Sequence, residues 1–265
     1  MAWLVLAAAG APVLASALNG IALFGFRKRW LHTRLEDVRW IYARRIMNIG
    51  FLFFVLQAAS AIAYSSDNLI LAHLIGPLAV AEFTVVYQLF SVGPTLLSMF
   101  LIPLWPAYGE AIVRGDGEWI RKTFRRSIAV GLLFNVPYSV LLMLFGNRVI
   151  HLWVGDQVSA SSVVLSAFGI WTMMNSFNGA NAMFLNGANA MKFQASCATL
   201  MACANLALSI VLTRIIGLSG VIWGSIISQT IFVLLPGSVY ISRHMRRFVP
   251  SAADGERFET RVLDQ

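Results

Sequence analysis

Charge is scarce in this chain: Asp, Glu, Lys and Arg together make up 12% of its 265 residues, while 58% are apolar. Mean hydropathy is +0.72. A chain so poor in charge cannot clothe a water-soluble domain of this length, which excludes a soluble enzyme or soluble binding module. Acids are scarcer than bases, 12 against 20, leaving a net charge of +8. In a soluble protein that excess would point to nucleic acid. Here the bases cluster beside long apolar runs, where anionic lipid and membrane topology account for them, so no nucleic-acid partner is expected.

Cysteine is nearly absent. Cys197 and Cys203 lie six residues apart on one predicted helix, about 120° from each other around its axis, and cannot pair with one another. No disulfide framework and no metal site follow. The chain also lacks a glycine-rich phosphate loop, an HExxH pair and a GxSxG elbow, so neither nucleotide-driven nor hydrolytic chemistry is expected, and no cofactor. His151 and Asp156 reproduce the His-x4-Asp spacing in which a carboxylate orients a histidine base, but the same spacing serves as an ordinary cap in a loop.

What is present is long uncharged sequence. No residue between Glu82 and Glu110 carries charge. At ~1.5 Å per helical residue that run covers about 40 Å, enough to cross a hydrocarbon core of ~30 Å with tilt. The expected fold is an all-α polytopic membrane bundle of about seven transmembrane helices, near 3–26, 46–75, 77–108, 127–145, 161–185, 195–213 and 218–241. Gly76-Pro77 marks a turn, and Pro94, Pro103 and Pro137 are expected kinks, since proline removes a backbone donor. The second span is expected to be interrupted at Ser65 to Asn68, where Asp67 would cap the break. Between the first two spans, Leu31, Leu35, Val38 and Tyr42 recur at helical spacing under a charged face, as in an interfacial helix or a solvated loop. Residues 243–265 form a polar tail.

Polar side chains inside the spans are the candidate site. Asn175, Asn178, Asn181, Asn186 and Asn189 fall within an arc of about 140° on the fifth span. Amides cannot face lipid cheaply, so this face either hydrogen-bonds neighbouring helices or lines a cavity. Asp67 and Glu82 are the acids within the spans. An intramembrane carboxylate needs a partner or a function, which makes Asp67 a cavity candidate beside Asn175, Asn178 and Asn181. Gly220, Gly224 and Ser228 form a small-xxx-small ladder suited to close helix packing.

The order Asp67, Leu74-Ile75-Gly76, a proline-broken helix, Pro106-Ala107-Tyr108-Gly109-Glu110 and then Gly115-Asp116 before basic residues resembles the second half of polysaccharide and O-antigen exporters. These belong to the superfamily of multidrug and oligosaccharidyl-lipid exporters. The resemblance covers roughly Met1 to Arg247. It implies a transporter of lipid-linked oligosaccharide, not an enzyme, in a bacterial inner membrane, with membrane lipids around it. It also implies a division into the last helix of a first lobe at 1–26, a cytoplasmic linker at 27–45, a six-helix second lobe at 46–242 and a tail at 243–265. The family's chains carry two lobes, so a truncated or split chain is expected here, completed by a missing first lobe or by self-association. A half of a small-molecule exporter, or a non-transporting scaffold or inactive remnant, is the alternative. No lysine or arginine lies deep in a span, which leaves recognition of a pyrophosphate to the absent lobe.

The bases fix an expected orientation. Seven lie at 27–45, five at 109–126, one at 192 and five in the tail, all on one side of this layout, whereas only Arg148 and Arg214 lie on the other. By the positive-inside rule Met1 is then external and the carboxy terminus cytoplasmic. A reporter fused after Gln265 and active only outside the cytoplasm is therefore expected to be silent, and the same reporter inserted at 155–160 to be active.

Overall fold

In this computed structural model, residues 2–22, 40–156 and 158–246 are described, and every element among them is helical. The helices are α1 (Ala2–Ile21), α2 (Trp40–Leu74), α3 (Pro77–Leu101), α4 (Leu104–Arg114), α5 (Gly117–Val154), α6 (Ser162–Gly187), α7 (Met191–Ile216), α8 (Ser219–Gln229) and α9 (Leu235–Arg246). The chain divides into two units, Met1–Ile49 and Gly50–Gln265. The first holds α1 and the start of α2. Val13, Leu14, Leu18 and Ile21 of α1 are all exposed, as lipid-facing side chains would be. The expected interfacial linker lies outside the described residues up to position 39, and its last residues belong to α2. The expected tail lies outside them beyond Arg246.

Five helical stretches are long and apolar enough to cross a membrane: Ile46–Leu74, Pro77–Leu101, Gly117–Val154, Met191–Ile216 and Ser219–Met245. The protein is thus a multi-pass membrane helix bundle. α6 matches them in length with 26 residues, but its asparagines and serines dilute its apolarity. α5 runs for 38 residues, about 57 Å at ~1.5 Å per residue, so it exceeds the hydrocarbon thickness. Arg121, Lys122, Arg125 and Arg126 occupy its first turns, where the surplus length can reach water.

Local chemistry explains the boundaries. Gly115 ends α4 in the left-handed region at φ 72°, a conformation that penalises any residue with a Cβ. Asp116 then caps α5, its carboxylate accepting from the Trp119 N–H at 3.0 Å. Pro94 and Pro137 lie inside α3 and α5, and Pro103 sits in the two-residue break between α3 and α4. The last span is not one uniform helix. A five-residue π segment, Thr230–Leu234, separates α8 from α9, with the Leu235 N–H bonded to the Thr230 carbonyl. Pro236 follows directly; it has no N–H to continue the α ladder and its ring crowds the carbonyl four residues back, which favours the wider turn.

One expectation fails here. α2 continues through Ser65, Ser66, Asp67 and Asn68 without a break, so Asp67 caps nothing. Ser66 bonds instead to the Ala63 carbonyl of its own helix at 3.1 Å. A serine can satisfy itself this way without leaving the helix, and apolar neighbours on both sides keep the helix formed.

The second unit packs around three apolar cores. The largest joins α2, α3, α5, α6 and α8 through Leu71, Phe83, Phe90, Leu142, Phe168 and Val221. A second gathers Tyr108, Ile120, Phe184 and Ile241. A third sets Ala59 and Ala63 of α2 against Ala198, Met201 and Ala202 of α7. α8 lies against α7 in a tight antiparallel pair joined through Gly217 at φ 67°. A Cβ at Gly220 would strike the Leu212 and Thr213 backbone, and one at Gly224 would come within 2.8 Å of the Ser209 nitrogen. Backbone cannot rotate aside, so the helices would have to separate. Gly220→Ala is expected to destabilise the protein by roughly 1–3 kcal/mol, measured as a lower thermal midpoint in detergent. Gly50→Ala, at a helical glycine with open space around it, is expected to lower nothing.

Candidate functional site

α6 carries no charged residue, and its polar side chains divide between two directions. Thr172 and Ser176 turn toward α3 and α5. The Thr172 hydroxyl donates to the Phe90 carbonyl at 3.3 Å, Asn135 Nδ2 of α5 donates to Ser176 Oγ at 2.8 Å, and Ser176 donates to the Gly131 carbonyl at 3.3 Å. All three side chains are buried. These bonds serve helix packing, because in hydrocarbon a buried hydroxyl or amide without a partner carries the full desolvation penalty.

The asparagines do not act as one set. Asn175 is partly buried and donates to the Trp171 carbonyl of its own helix at 2.8 Å. Asn186 accepts from Gln194 Nε2 at 2.8 Å across the α6–α7 turn. Asn189 occupies the left-handed region at φ 55°, where an asparagine is tolerated better than most residues. Asn178 and Asn181 line a cavity of about 160 Å³, together with Ser60, Tyr64, Gln194 and Gln229. There both polar atoms of the Asn178 amide, the Asn181 Nδ2 and the Gln229 Oε1 are buried without a hydrogen-bond partner. Helical periodicity had placed the asparagines on one face; it could not say which of them another helix would cover.

A second cavity, of about 240 Å³, shares Tyr64 with the first. Its walls are aromatic: Tyr64, Phe83, Tyr87, Phe168 and Trp171, with Tyr87 and Trp171 ring centres 5.6 Å apart. Ser65, Asp67, Asn68, Thr84 and Ser225 supply its polar wall. Asp67 is 2% exposed. Its carboxylate accepts from Ser209 Oγ of α7 at 3.3 Å and from Ser225 Oγ of α8 at 3.2 Å. Both hydroxyls also reach Asn205 Oδ1, at 2.7 and 3.4 Å, and the Asn205 amide nitrogen donates to the Ala63 carbonyl at 3.2 Å. Three helices meet at this point.

Neither Asn205, Ser209, Ser225 nor Gln229 stood out in the sequence. A single serine, asparagine or glutamine in an apolar helix is common; Ser209 and Ser225 take their meaning from a carboxylate more than a hundred residues away, Asn205 from those two serines, and Gln229 from the amides across its cavity. The aromatic wall carried a weak signal in the spacing of Phe83, Tyr87 and Phe90 along one helix face. Asp67 stands apart from Asn175, which lines neither of these two cavities. Glu82 is partly exposed on α3. His151 and Asp156 form an ion pair, both largely exposed at the end of α5, away from either cavity's lining. Among the described residues no three His, Cys, Asp or Glu side chains gather as metal ligands would.

The sequence pattern of the family described as "Polysaccharide biosynthesis protein" matches residues 2–163, more than half of the chain. A protein of Salmonella typhimurium (strain LT2) named "Putative O-antigen transporter" is 25% identical over 189 residues, a match covering 69% of this chain and 44% of that relative. The chain therefore spans less than half of the relative's length. No solved structure matches.

The packing bonds of α6 can be separated from its cavity amides by stability. Asn135→Val, which leaves Ser176 without its donor in the core, is expected to cost ~0.6–1.7 kcal/mol, the range for hydrogen bonds between membrane helices. Asn178→Val, which removes an amide already without partners, is expected to leave the thermal midpoint unchanged or higher. Thermal unfolding of the two variants in the same detergent compares them directly.

Proposed function

The chain belongs to the polysaccharide biosynthesis protein family, and on that premise we propose that it forms one lobe of a transporter that moves a lipid-linked oligosaccharide across the plasma membrane. The observation that carries this reading is the group of unpartnered amides on one cavity wall, Asn178, Asn181 and Gln229. A sugar is dense in hydroxyls, each of which loses its water on entering the bilayer and costs several kcal/mol if nothing replaces it. A primary amide offers donors and acceptors together, so it can pair with a hydroxyl in either sense. It also carries no charge, so it pairs without the desolvation penalty of a buried ion and without the strong charge attraction that would slow release.

Family and geometry together favour transport over catalysis. The cavity offers hydrogen bonds and presents no nucleophile beside a base. The lipid tail of such a cargo needs no site, because hydrocarbon already solvates it.

Translocation also requires a path that opens to one side at a time, which two lobes achieve by rocking about a shared cavity. The relative of which this chain spans less than half is consistent with a second lobe, supplied by another polypeptide or by a second copy. Pro94 and Pro137 within their helices, and the π segment beside Gln229, are the places where this lobe can bend. The carboxy terminus is assigned to the cytoplasm from the distribution of bases.

The test is binding. With the chain held in lipid nanodiscs, an undecaprenyl-pyrophosphoryl oligosaccharide is expected to bind more tightly than the same lipid without sugar. Asn178→Leu combined with Gln229→Leu is expected to weaken the sugar-dependent part at least tenfold, whereas Asn175→Leu leaves it unchanged. Equal affinity for the sugar-bearing and sugarless lipids would overturn the cavity assignment. Export restored in an exporter-deficient strain by this chain alone, shown to be monomeric, would overturn the need for a second lobe.

A further inference from the structure

Toward the α6–α7 turn the amide cavity ends in apolar side chains. Leu56 of α2, Leu185 of α6 and Phe193 of α7 line it there. Leu185 lies about two turns along α6 from Asn178, and Phe193 stands in the first turn of α7. A hydroxyl-rich cargo that enters or leaves at this end has to pass them, and they do not yield alike. Leu185 is buried in the core around Tyr108 and Phe184. Phe193 is only partly buried and touches that core from outside.

A stack of rings holds Phe193. Its ring centre lies 4.6 Å from that of Tyr240 with the planes 19° apart, and the Tyr240 ring lies 4.4 Å from that of His244 at 18°. Tyr240 and His244 are four residues apart on α9 and share one of its faces. Near-parallel rings at these separations are offset stacks, an arrangement that aromatic side chains favour. Such a contact joins two helices through ring faces alone. It can part and form again without leaving a buried donor or acceptor unpaired, which a hydrogen bond between the same helices could not.

α9 also has a joint at its start. The π segment Thr230–Leu234 leads into it, and Pro236, with no N–H to give, is followed by Gly237. A Cβ at Gly237 would rest 3.6 Å from Asn181 Nδ2, so the first turn of α9 lies against one of the unpartnered amides. A bend at this joint shifts the cavity wall beside Asn181 and, within one turn, the ring of Tyr240.

We propose that Phe193 is the inner gate of the amide cavity and that Tyr240 and His244 are its latch. Bending at the π segment withdraws Tyr240, frees the Phe193 ring to turn aside, and opens the cavity toward the end assigned to the cytoplasm. The gate rests on the reading of that cavity as the place where cargo is held. It gives α7 and α9 a motion inside the lobe, in addition to the rocking of one lobe against another.

Cys197 supplies the reporter. It lines the same cavity one turn beyond Phe193, whereas Cys203 lies in an apolar groove between α2 and α7. With Cys203→Ser in the whole chain, inverted membrane vesicles, whose outer surface is the cytoplasmic one, are treated with a membrane-impermeant maleimide in the absence of cargo. Cys197 is expected to react slowly. Tyr240→Ala and Phe193→Ala are each expected to quicken the reaction about tenfold, and the two together no more than Phe193→Ala alone, because the latch acts through the gate. Tyr240→Phe keeps the ring and is expected to keep the slow rate. Unfolding is told apart by Ala167→Cys in a chain without Cys197 and Cys203, since Ala167 is fully buried in the largest core and is expected to stay unreactive when Tyr240→Ala is added. Fast labelling of Cys197 before any ring is changed, no gain from Tyr240→Ala, a fast rate in Tyr240→Phe, or additive gains in the double variant would overturn the gate. A gain matched at Ala167→Cys would assign the rings to packing alone and overturn it equally. No cargo enters this assay, so equal affinity for lipids with and without sugar would remove the cargo reading and leave the labelling result as it stands.

Discussion

A carboxylate buried in the middle of an apolar helix dictates much of how this bundle is assembled. Asp67 cannot turn to lipid, where Ile62 and Leu69 of the same helix are exposed, and among the described residues no basic side chain pairs with it. It must be met by neutral polar groups, and those come from two other helices, through Ser209 and Ser225. Their approach in turn requires thin helix surfaces. Ala59 and Ala63 on α2 face Ala198 and Ala202 on α7, and Gly220 and Gly224 bring α8 onto the α7 backbone. Small residues at the seam and one acid at its centre are parts of a single solution to the same constraint, since a polar group in hydrocarbon must be satisfied by protein.

The same rule governs α6, with a different outcome on each side of the helix. Toward α3 and α5 its hydroxyls are paired, and the helix packs as a fixed part of the core with Phe168 and Trp171. Toward Ser60 and Gln229 its amides are unpaired, and a cavity opens instead. A helix with one satisfied face and one unsatisfied face is suited to a lobe that keeps its own packing while offering hydrogen bonds to something that comes and goes. The π segment next to Gln229 adds a locally weaker backbone on the wall of that cavity, at the position where Pro236 interrupts the ladder.

The two cavities share Tyr64 in their walls, and α2 and α8 contribute residues to both. Whatever occupies one of them therefore bears on the helices that shape the other. Linkage of that kind is reciprocal, so the occupant of one cavity would change the other by the same free energy that the second occupant returns.

What the sequence by itself determined was whatever depends on composition and on neighbours along the chain. The all-helical membrane bundle followed from the scarcity of charge and the length of the apolar runs. The end of α4 and start of α5 were legible in Gly115-Asp116, and the turn before α3 in Gly76-Pro77, because a left-handed glycine and a capping acid act within a few residues. The expected shared face of the asparagines rests only on the 3.6-residue period, which reaches Asn186 but not Asn189, beyond the end of α6. What the tertiary structure alone decided was which part of each face is covered. The continuity of α2 at Asp67 contradicted a local reading of Ser65 to Asn68, since the helix is held by packing that those four residues do not contain. Likewise Asp67 meets partners 142 and 158 positions away, and Asn175, Asn178 and Asn186 part company according to the helix that lies opposite each. Periodicity specifies the direction in which a side chain leaves its own helix, and the arrangement of the other helices specifies what it meets.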